Sequence, residues 1–146
     1  MINSMQLQPT SLEKYCPTIT YDFSIAHVAH THLVDLLVIT FHGRYRDGSE
    51  GRPDAGLIQG GIRTGIAVFD PFKLIIDLSD LEYALGDNLS LLIDESEWIK
   101  TAYVVGDKCR HALSTLYFGA RSTKDIVDHQ LFFDSFDLAL KKLQQG

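Results

Sequence analysis

The chain has 146 residues, of which 45% are hydrophobic and 22% are charged, and its net charge is −6. This length fits one domain with a sizeable core, and the composition excludes a disordered or fibrous protein. The acidic surplus argues against nucleic-acid binding, because phosphate neutralisation requires an excess of lysine and arginine. We therefore predict a globular protein that binds no nucleic acid and accommodates a basic protein partner.

Two features concern the cellular compartment. Cys16 and Cys109 have neither a CxxC nor a metal-like spacing, which favours a reduced cytoplasm. The amino terminus lacks the basic and apolar regions of a secretion signal, and Asp35 interrupts the longest apolar run. We expect a cytoplasmic protein without a membrane span.

The first predicted elements are an arm and two antiparallel strands. Residues 1–17 are polar and contain two prolines, so an irregular arm is expected ahead of a single domain at 18–146. From residue 18 to 25, apolar and polar side chains alternate as in a half-exposed strand. Residues 33–41 are rich in Val, Leu and Ile and predict a second strand beside the first.

A cationic loop and an unusual helix follow. Residues 43–52 contain three glycines and three arginines, which predicts an exposed loop. After Pro53, apolar residues recur every three or four positions and predict a helix that stops at Pro71. Glycines inside a helix each cost about 1 kcal/mol relative to alanine, so we expect this helix to lie unusually close to the sheet. These glycines are Gly56, Gly60, Gly61 and Gly65.

The second half predicts alternating strands and helices. The run from Lys73 to Leu78 is a continuous apolar strand, typical of one buried on both faces. Strands are also expected at 101–105 and 130–133, and helices at 88–95, from a cap at Asp107 to Gly119, and after Ser135. This order predicts an α/β fold with one mostly parallel sheet and an N-terminal antiparallel strand.

The turn after the central strand is where we expect function to reside, because open α/β sheets place their sites at the carboxyl ends of strands. Acidic residues cluster there, namely Asp77, Asp80, Glu82 and Asp87. The alternative interpretation is that they are turn, cap and solvent-exposed residues.

Three stretches match the motifs of a known family in order and spacing. They are LIIDLSDLEY at Leu74–Tyr83, YVVG at Tyr103–Gly106 and LFFDSFDLAL at Leu131–Leu140. Together they resemble the STAS domain of anti-sigma factor antagonists and of the cytoplasmic tails of sulphate transporters, across about residues 18–143. The resemblance implies a STAS-like fold and a non-enzymatic, regulatory role in binding another protein.

One turn departs from the family pattern. Phosphorylatable members carry Asp-Ser-Ser-Gly-Leu, where this chain has Leu85-Gly86-Asp87-Asn88-Leu89. The phosphoacceptor serine is absent, and Asp87 places a permanent carboxylate where a helix N-terminus favours negative charge. We therefore expect no regulation by serine phosphorylation at this turn. The predicted partner-binding residues are Leu85, Gly86, Asp87, Asn88 and Ser90, with Arg44, Arg46 and Arg52 of the cationic loop as a second candidate.

Other functions stay open at this level. His27, His30 and His32, with His42 further on, are residue types of a metal site, although the string lies in a predicted hairpin connection. An acidic inhibitor or immunity-type protein that covers a basic toxin also fits the net charge. No nucleotide-binding or hydrolase fingerprint occurs, and Cys109 has the spacing of a buried helical residue. We predict no enzyme activity, no cofactor and no resident metal, expect a protein partner, and leave self-association open.

Overall fold

The computed structural model describes residues 5–84 and 99–145, and the statements below refer to these residues. They form a five-stranded sheet in which β1 is antiparallel to β2 and all other pairs are parallel. The strands, in spatial and chain order, are β1 (Ile19–His27), β2 (Val34–Arg44), β3 (Lys73–Glu82), β4 (Lys100–Val105) and β5 (Phe132–Phe133). The helices are α1 (Leu12–Tyr15), α2 (Gly51–Phe69), α3 (Arg110–Phe118) and α4 (Phe136–Gln144). None of these helices is both long and apolar enough to cross a membrane.

The predicted α/β class and the mostly parallel sheet are confirmed, and β3 lies at the centre of both cores. On one face, Leu74 and Ile76 belong to a large cluster that includes α2 and α3. On the other face, Ile75 joins a smaller cluster with Ala139 and Leu143 of α4. Full burial of each such side chain contributes roughly 1.5–3 kcal/mol. The absence of alternation in β3 therefore reflects a strand covered on both sides.

Two of the four α2 glycines lie against the sheet, as predicted. A Cβ on Gly61 would lie 3.1 Å from the Tyr21 ring, and a Cβ on Gly65 would lie 2.8 Å from the Phe23 ring. Gly56 and Gly60 have nothing within 4 Å of that position, so close packing does not explain them.

Several boundaries differ from the sequence prediction. β3 continues past Leu78 to Glu82, because it keeps pairing with β2 as far as Arg44. The segment predicted as a loop ends early, since a 3₁₀ turn leads into α2 at Gly51 rather than after Pro53. The last strand is confined to β5, and the cap predicted at Asp107 lies in a turn ahead of the true N-cap, Cys109.

The segment ahead of β1 contains a short helix where an irregular arm was predicted. The Ser11 hydroxyl accepts a hydrogen bond from the Lys14 N–H at 3.2 Å and caps α1. Cys16 is 4% exposed, and its Sγ donates to the Pro53 carbonyl oxygen at 3.2 Å. Burial, with a further contribution from the nearby Asp54 carboxylate, raises the pKa of the Cys16 thiol. Residues 12–16 therefore pack onto the start of α2.

Candidate functional site

The carboxyl ends of β2 and β3 and the beginning of β1 meet at one end of the sheet, which we call its carboxyl end. Ile19 of β1 lies opposite Gly43 of β2, and Arg44 lies opposite Glu82 of β3. Polar side chains that are far apart in the sequence therefore converge on this carboxyl end, which is where α/β proteins usually place their sites.

His42 connects three strands at this carboxyl end of the sheet. Its Nε2 lies 2.8 Å from Asp22 Oδ2 on β1, and its Nδ1 lies 2.7 Å from Asp80 Oδ2 on β3. A neutral imidazole donates only once, so two carboxylate partners favour the imidazolium, in which both ring nitrogens donate. The hydrogen bonds to Asp80 and Asp22 accordingly raise the pKa of His42. The bond from His42 in turn lowers the pKa of Asp80.

Lys108 adds a fourth charge to this group. Its Nζ lies 3.8 Å from Asp80 Oδ1, and its carbonyl oxygen accepts from the Tyr83 N–H at 3.1 Å. We refer to Asp22, His42, Asp80 and Lys108 as the His42 cluster. Its negative and positive charges alternate from β1 to the β4–α3 connection, and their side chains are between one third and three quarters exposed. The cluster therefore links the strands at the carboxyl end of the sheet while remaining open to solvent.

We expect His42→Gln to remove a pH-dependent part of the stability. Because the folded-state pKa of His42 is raised above its ordinary 6.5, the contribution is fully present below about pH 6.5 and is lost as pH rises through the folded-state pKa. Denaturant unfolding between about pH 5.5 and 8, below the range in which the buried Cys16 and Cys109 thiols affect stability, measures this loss, which the variant will not show. His111→Gln, at an exposed position of α3, is the matched control. Identical pH profiles for wild type and His42→Gln would contradict the assignment.

The three arginines of the predicted cationic surface have different surroundings. Nε and Nη2 of Arg46 each donate to an Asp54 carboxylate oxygen at 3.0 Å, so this guanidinium is engaged within the fold. The hydrogen bonds to Asp54 raise the pKa of Arg46. Arg44 is exposed and lies 3.6 Å from Asp47, and Arg52 is exposed on the first turn of α2. The solvent-facing positive charge of this segment is therefore that of Arg44 and Arg52.

These arginines begin beside the place where the chain leaves β3. The Tyr45 N–H donates to the Glu82 carbonyl oxygen at 2.8 Å, so the end of β2 runs alongside the end of β3. The other predicted partner surface starts three residues after Glu82 in the sequence. Its residues Leu85, Gly86, Asp87, Asn88 and Ser90, and the predicted helix at 88–95, lie outside the described residues.

The histidine string is spread over both ends of β2. His27 ends β1 and pairs with Val34 at the start of β2, and His30 and His32 lie in the connection between the two strands. His42 lies eight residues beyond Val34, which at ~3.3 Å per strand residue is about 26 Å away. Within residues 5–84 and 99–145, no group of three or more His, Cys, Asp or Glu side chains is arranged to hold a metal ion.

Cys109 is buried, as its spacing predicted. It is 1% exposed, and its Sγ lies 3.4 Å from the Leu78 carbonyl oxygen. Burial raises the pKa of this thiol, whereas a catalytic cysteine requires a lowered one.

Sequence reasoning placed Asp80 at the site but missed His42 and Lys108 as its partners and Asp22 as the second partner of His42. Asp22 was placed on the polar side of an alternating strand, and His42 was grouped with the histidine string. The available signal was the antiparallel pairing of the first two predicted strands, which brings the start of one to the end of the other. Its exact register was not readable from the residues.

The whole fold is similar to that of an anti-sigma factor antagonist from Mycobacterium paratuberculosis, known from its crystal structure. The TM-score is 0.59 at 16% sequence identity, and the similarity covers 86% of this chain and 96% of that chain. No protein-family model matches the sequence, and no curated protein matches it significantly. The similarity confirms the STAS-like fold that the three motifs predicted.

Proposed function

We propose that this protein is a non-enzymatic cytoplasmic regulator that binds an anti-sigma factor and thereby acts as its antagonist. The observation that carries the proposal is the structural similarity to an anti-sigma factor antagonist across 96% of that protein's chain. The net charge of −6 supports a partner of positive net charge, because opposite overall charges speed association.

We place the binding surface at the turn after β3, with the exposed Arg44 and Arg52 beside it. The register of Arg44 with Glu82 supports this placement, since it sets the arginine segment next to the point where the chain approaches the turn. Arg46 serves the same surface indirectly, because its ion pair with Asp54 holds residues 44–52 against α2. The turn itself is assigned from the sequence resemblance.

We further propose that binding is not switched by phosphorylation of this turn. Leu85-Gly86-Asp87-Asn88-Leu89 contains no serine where phosphorylatable members carry the acceptor, and Asp87 gives this segment a constant negative charge. The affinity for the partner is therefore expected to be unchanged after incubation with ATP and an active anti-sigma factor kinase.

The test is calorimetric titration of the purified chain with each anti-sigma factor encoded by its own host. We expect one of them to bind, and Asp87→Arg to weaken that binding at least tenfold, because a reversed charge would face a surface that accepts a carboxylate. Loss of a helix N-cap typically costs only about 1 kcal/mol of folding stability, so unfolding is measured on the same variant to separate such a loss from weakened binding.

Asp137→Arg is the matched control, since Asp137 is an exposed acidic residue in the first turn of α4 and lies in another part of the chain. If no anti-sigma factor binds, the proposed function is wrong. If one binds and a folded Asp87→Arg variant keeps its affinity, the turn is not the interface, and Arg44→Glu and Arg52→Glu test the arginine surface next.

A further inference from the structure

The sheet ends at β1, whose outer edge has no partner strand within residues 5–84 and 99–145. β1 is nine residues long and contains no proline or lysine, which commonly protect a free edge from pairing, and its one carboxylate, Asp22, is bonded to His42. Its one bulge lies at the far end, between Ala26 and His27. The rest of the edge therefore has the backbone geometry that another extended strand requires.

The ladder with β2 shows which backbone groups point outward. The Arg44 N–H donates to the Thr18 carbonyl oxygen at 2.9 Å, so this pair is a hydrogen-bonded one. Hydrogen-bonded and non-hydrogen-bonded pairs alternate along an antiparallel ladder. Every second residue after Thr18 therefore bonds to β2, whereas Tyr21, Phe23 and Ile25 direct their N–H and C=O groups to the outer edge.

Only the part of this edge beyond Tyr21 is open. Leu12 and Cys16 line a small apolar pocket together with Ile19 and Tyr21, so the α1 segment lies beside the first half of β1. From Ser24 to His27, every residue is exposed. The α1 segment flanks β1 only as far as Tyr21, so the free part of the edge runs from Asp22 to His27 and is centred near Ser24.

Apolar side chains flank this free part on the α2 side of the sheet. Ile25 is 42% exposed, although it lies on the face that packs against α2. The Phe23 ring packs edge-on against the Phe69 ring, with the ring centroids 5.4 Å apart, and the neighbouring Val68 is 67% exposed. Pairing at this edge would cover part of this apolar surface as well as satisfy the backbone groups.

We propose that the free part of β1, from Asp22 to His27, pairs with β1 of a second copy of this chain, antiparallel and with the two-fold axis at Ser24. In this register Phe23 lies opposite Ile25 of the second copy, which is a favourable aromatic and β-branched pair, and the symmetry produces it twice. Asp22 lies opposite Ala26, so no two carboxylates face each other. The result is one continuous sheet that joins the five strands described for each copy.

The sequence of β1 favours its own copy as the partner. A register centred on Asp22 would set the two carboxylates directly opposite each other, which is destabilising. The register at Ser24 avoids this and uses only the part of the edge that α1 leaves open. Because each copy carries a charge of −6, we expect the dimer to tighten as salt screens the repulsion. The contact lies at the amino end of β2, so the surface around Arg44 stays free.

Disulfide cross-linking of Ser24→Cys tests the register. Ser24 would face itself in a non-hydrogen-bonded pair, with Cβ atoms about 4.5–5.5 Å apart, which a small adjustment brings within disulfide range. Thr20→Cys is the matched control on the same exposed face of β1. Its two copies would be separated by eight residues, or about 26 Å at ~3.3 Å per residue. Both natural cysteines are buried.

We expect mild oxidation to convert Ser24→Cys to a covalent dimer and to leave Thr20→Cys mostly monomeric. Sedimentation of the wild type should show a concentration-dependent dimer, and Ile25→Lys should weaken it at least tenfold. Leu33→Lys, at a 55% exposed position outside β1, should leave it unchanged. A wild type that is monomeric at all concentrations, equal cross-linking of the two cysteine variants, or a dimer insensitive to Ile25→Lys would each overturn the proposal.

Discussion

Replacing Asp54 with alanine is expected to cost about 3 kcal/mol of unfolding free energy, near the low end for breaking a buried ion pair. The Asp54 side chain is 0% exposed, and Oδ2 accepts from the backbone N–H of Arg46 at 2.9 Å as well as from its Nε at 3.0 Å. Its removal deprives these two donors, and Arg46 Nη2, which donates to Oδ1 at 3.0 Å, of their acceptor. The Arg46 side chain is 21% exposed and can partly return to water, which limits the loss.

Asp47→Ala is the control for this prediction. Asp47 lies 3.6 Å from Arg44 and both side chains are solvent-exposed, so its removal should cost no more than about 1 kcal/mol. Urea unfolding of the two variants under the same conditions provides the comparison. Equal, small losses would show that the Arg46–Asp54 pair does not hold residues 44–52 in place.

The strands were largely predictable because their burial patterns are local. A strand covered on both faces loses alternation, as Lys73–Leu78 shows, and a half-exposed strand keeps it, as Ile19–Phe23 shows. The end of a strand is less predictable, since it depends on how far the neighbour continues. β3 runs on to Glu82 because β2 pairs with it as far as Arg44.

The Arg46–Asp54 pair was missed because charged residues in a predicted loop and on a helix are ordinarily assigned to solvent. A signal was nevertheless present in the spacing of Asp54, Ile58 and Ile62. These positions are four residues apart and share one helix face, and all three side chains are 0% exposed. A carboxylate within an apolar stripe indicates a buried partner, although the sequence does not say which arginine supplies it.

The His42 cluster depends on register, which the residue pattern leaves open. Asp22 lies opposite Thr40 rather than His42, and a shift between Thr40 and His42 in the ladder with β3 sets His42 opposite Asp80. A one-residue change in either pairing would send these side chains to different faces. The partner surface at the turn after β3 remains a prediction from the family resemblance.

Gly43→Ala should cost about 3 kcal/mol, because two penalties combine at this position. Gly43 has φ +104, which side-chain-bearing residues rarely adopt, and a Cβ there would collide with the Thr18 carbonyl oxygen. That oxygen accepts the Arg44 N–H at 2.9 Å, so it moves away only if this hydrogen bond is lost. Left-handed strain costs about 1–2 kcal/mol, and the lost bond adds about 1 kcal/mol.

Gly48→Ala separates the two penalties. Gly48 also has a positive φ, +65, but nothing lies within 4 Å of its added Cβ. It should therefore lose only the strain contribution, about 1–2 kcal/mol. The free energies of unfolding of the two variants, measured side by side in urea, should differ by the cost of the collision. Equal losses of free energy would mean that the Thr18 carbonyl moves away at no cost. If the collision does displace Arg44, Gly43→Ala should also weaken partner binding in a protein that is still folded, whereas Gly48→Ala should not.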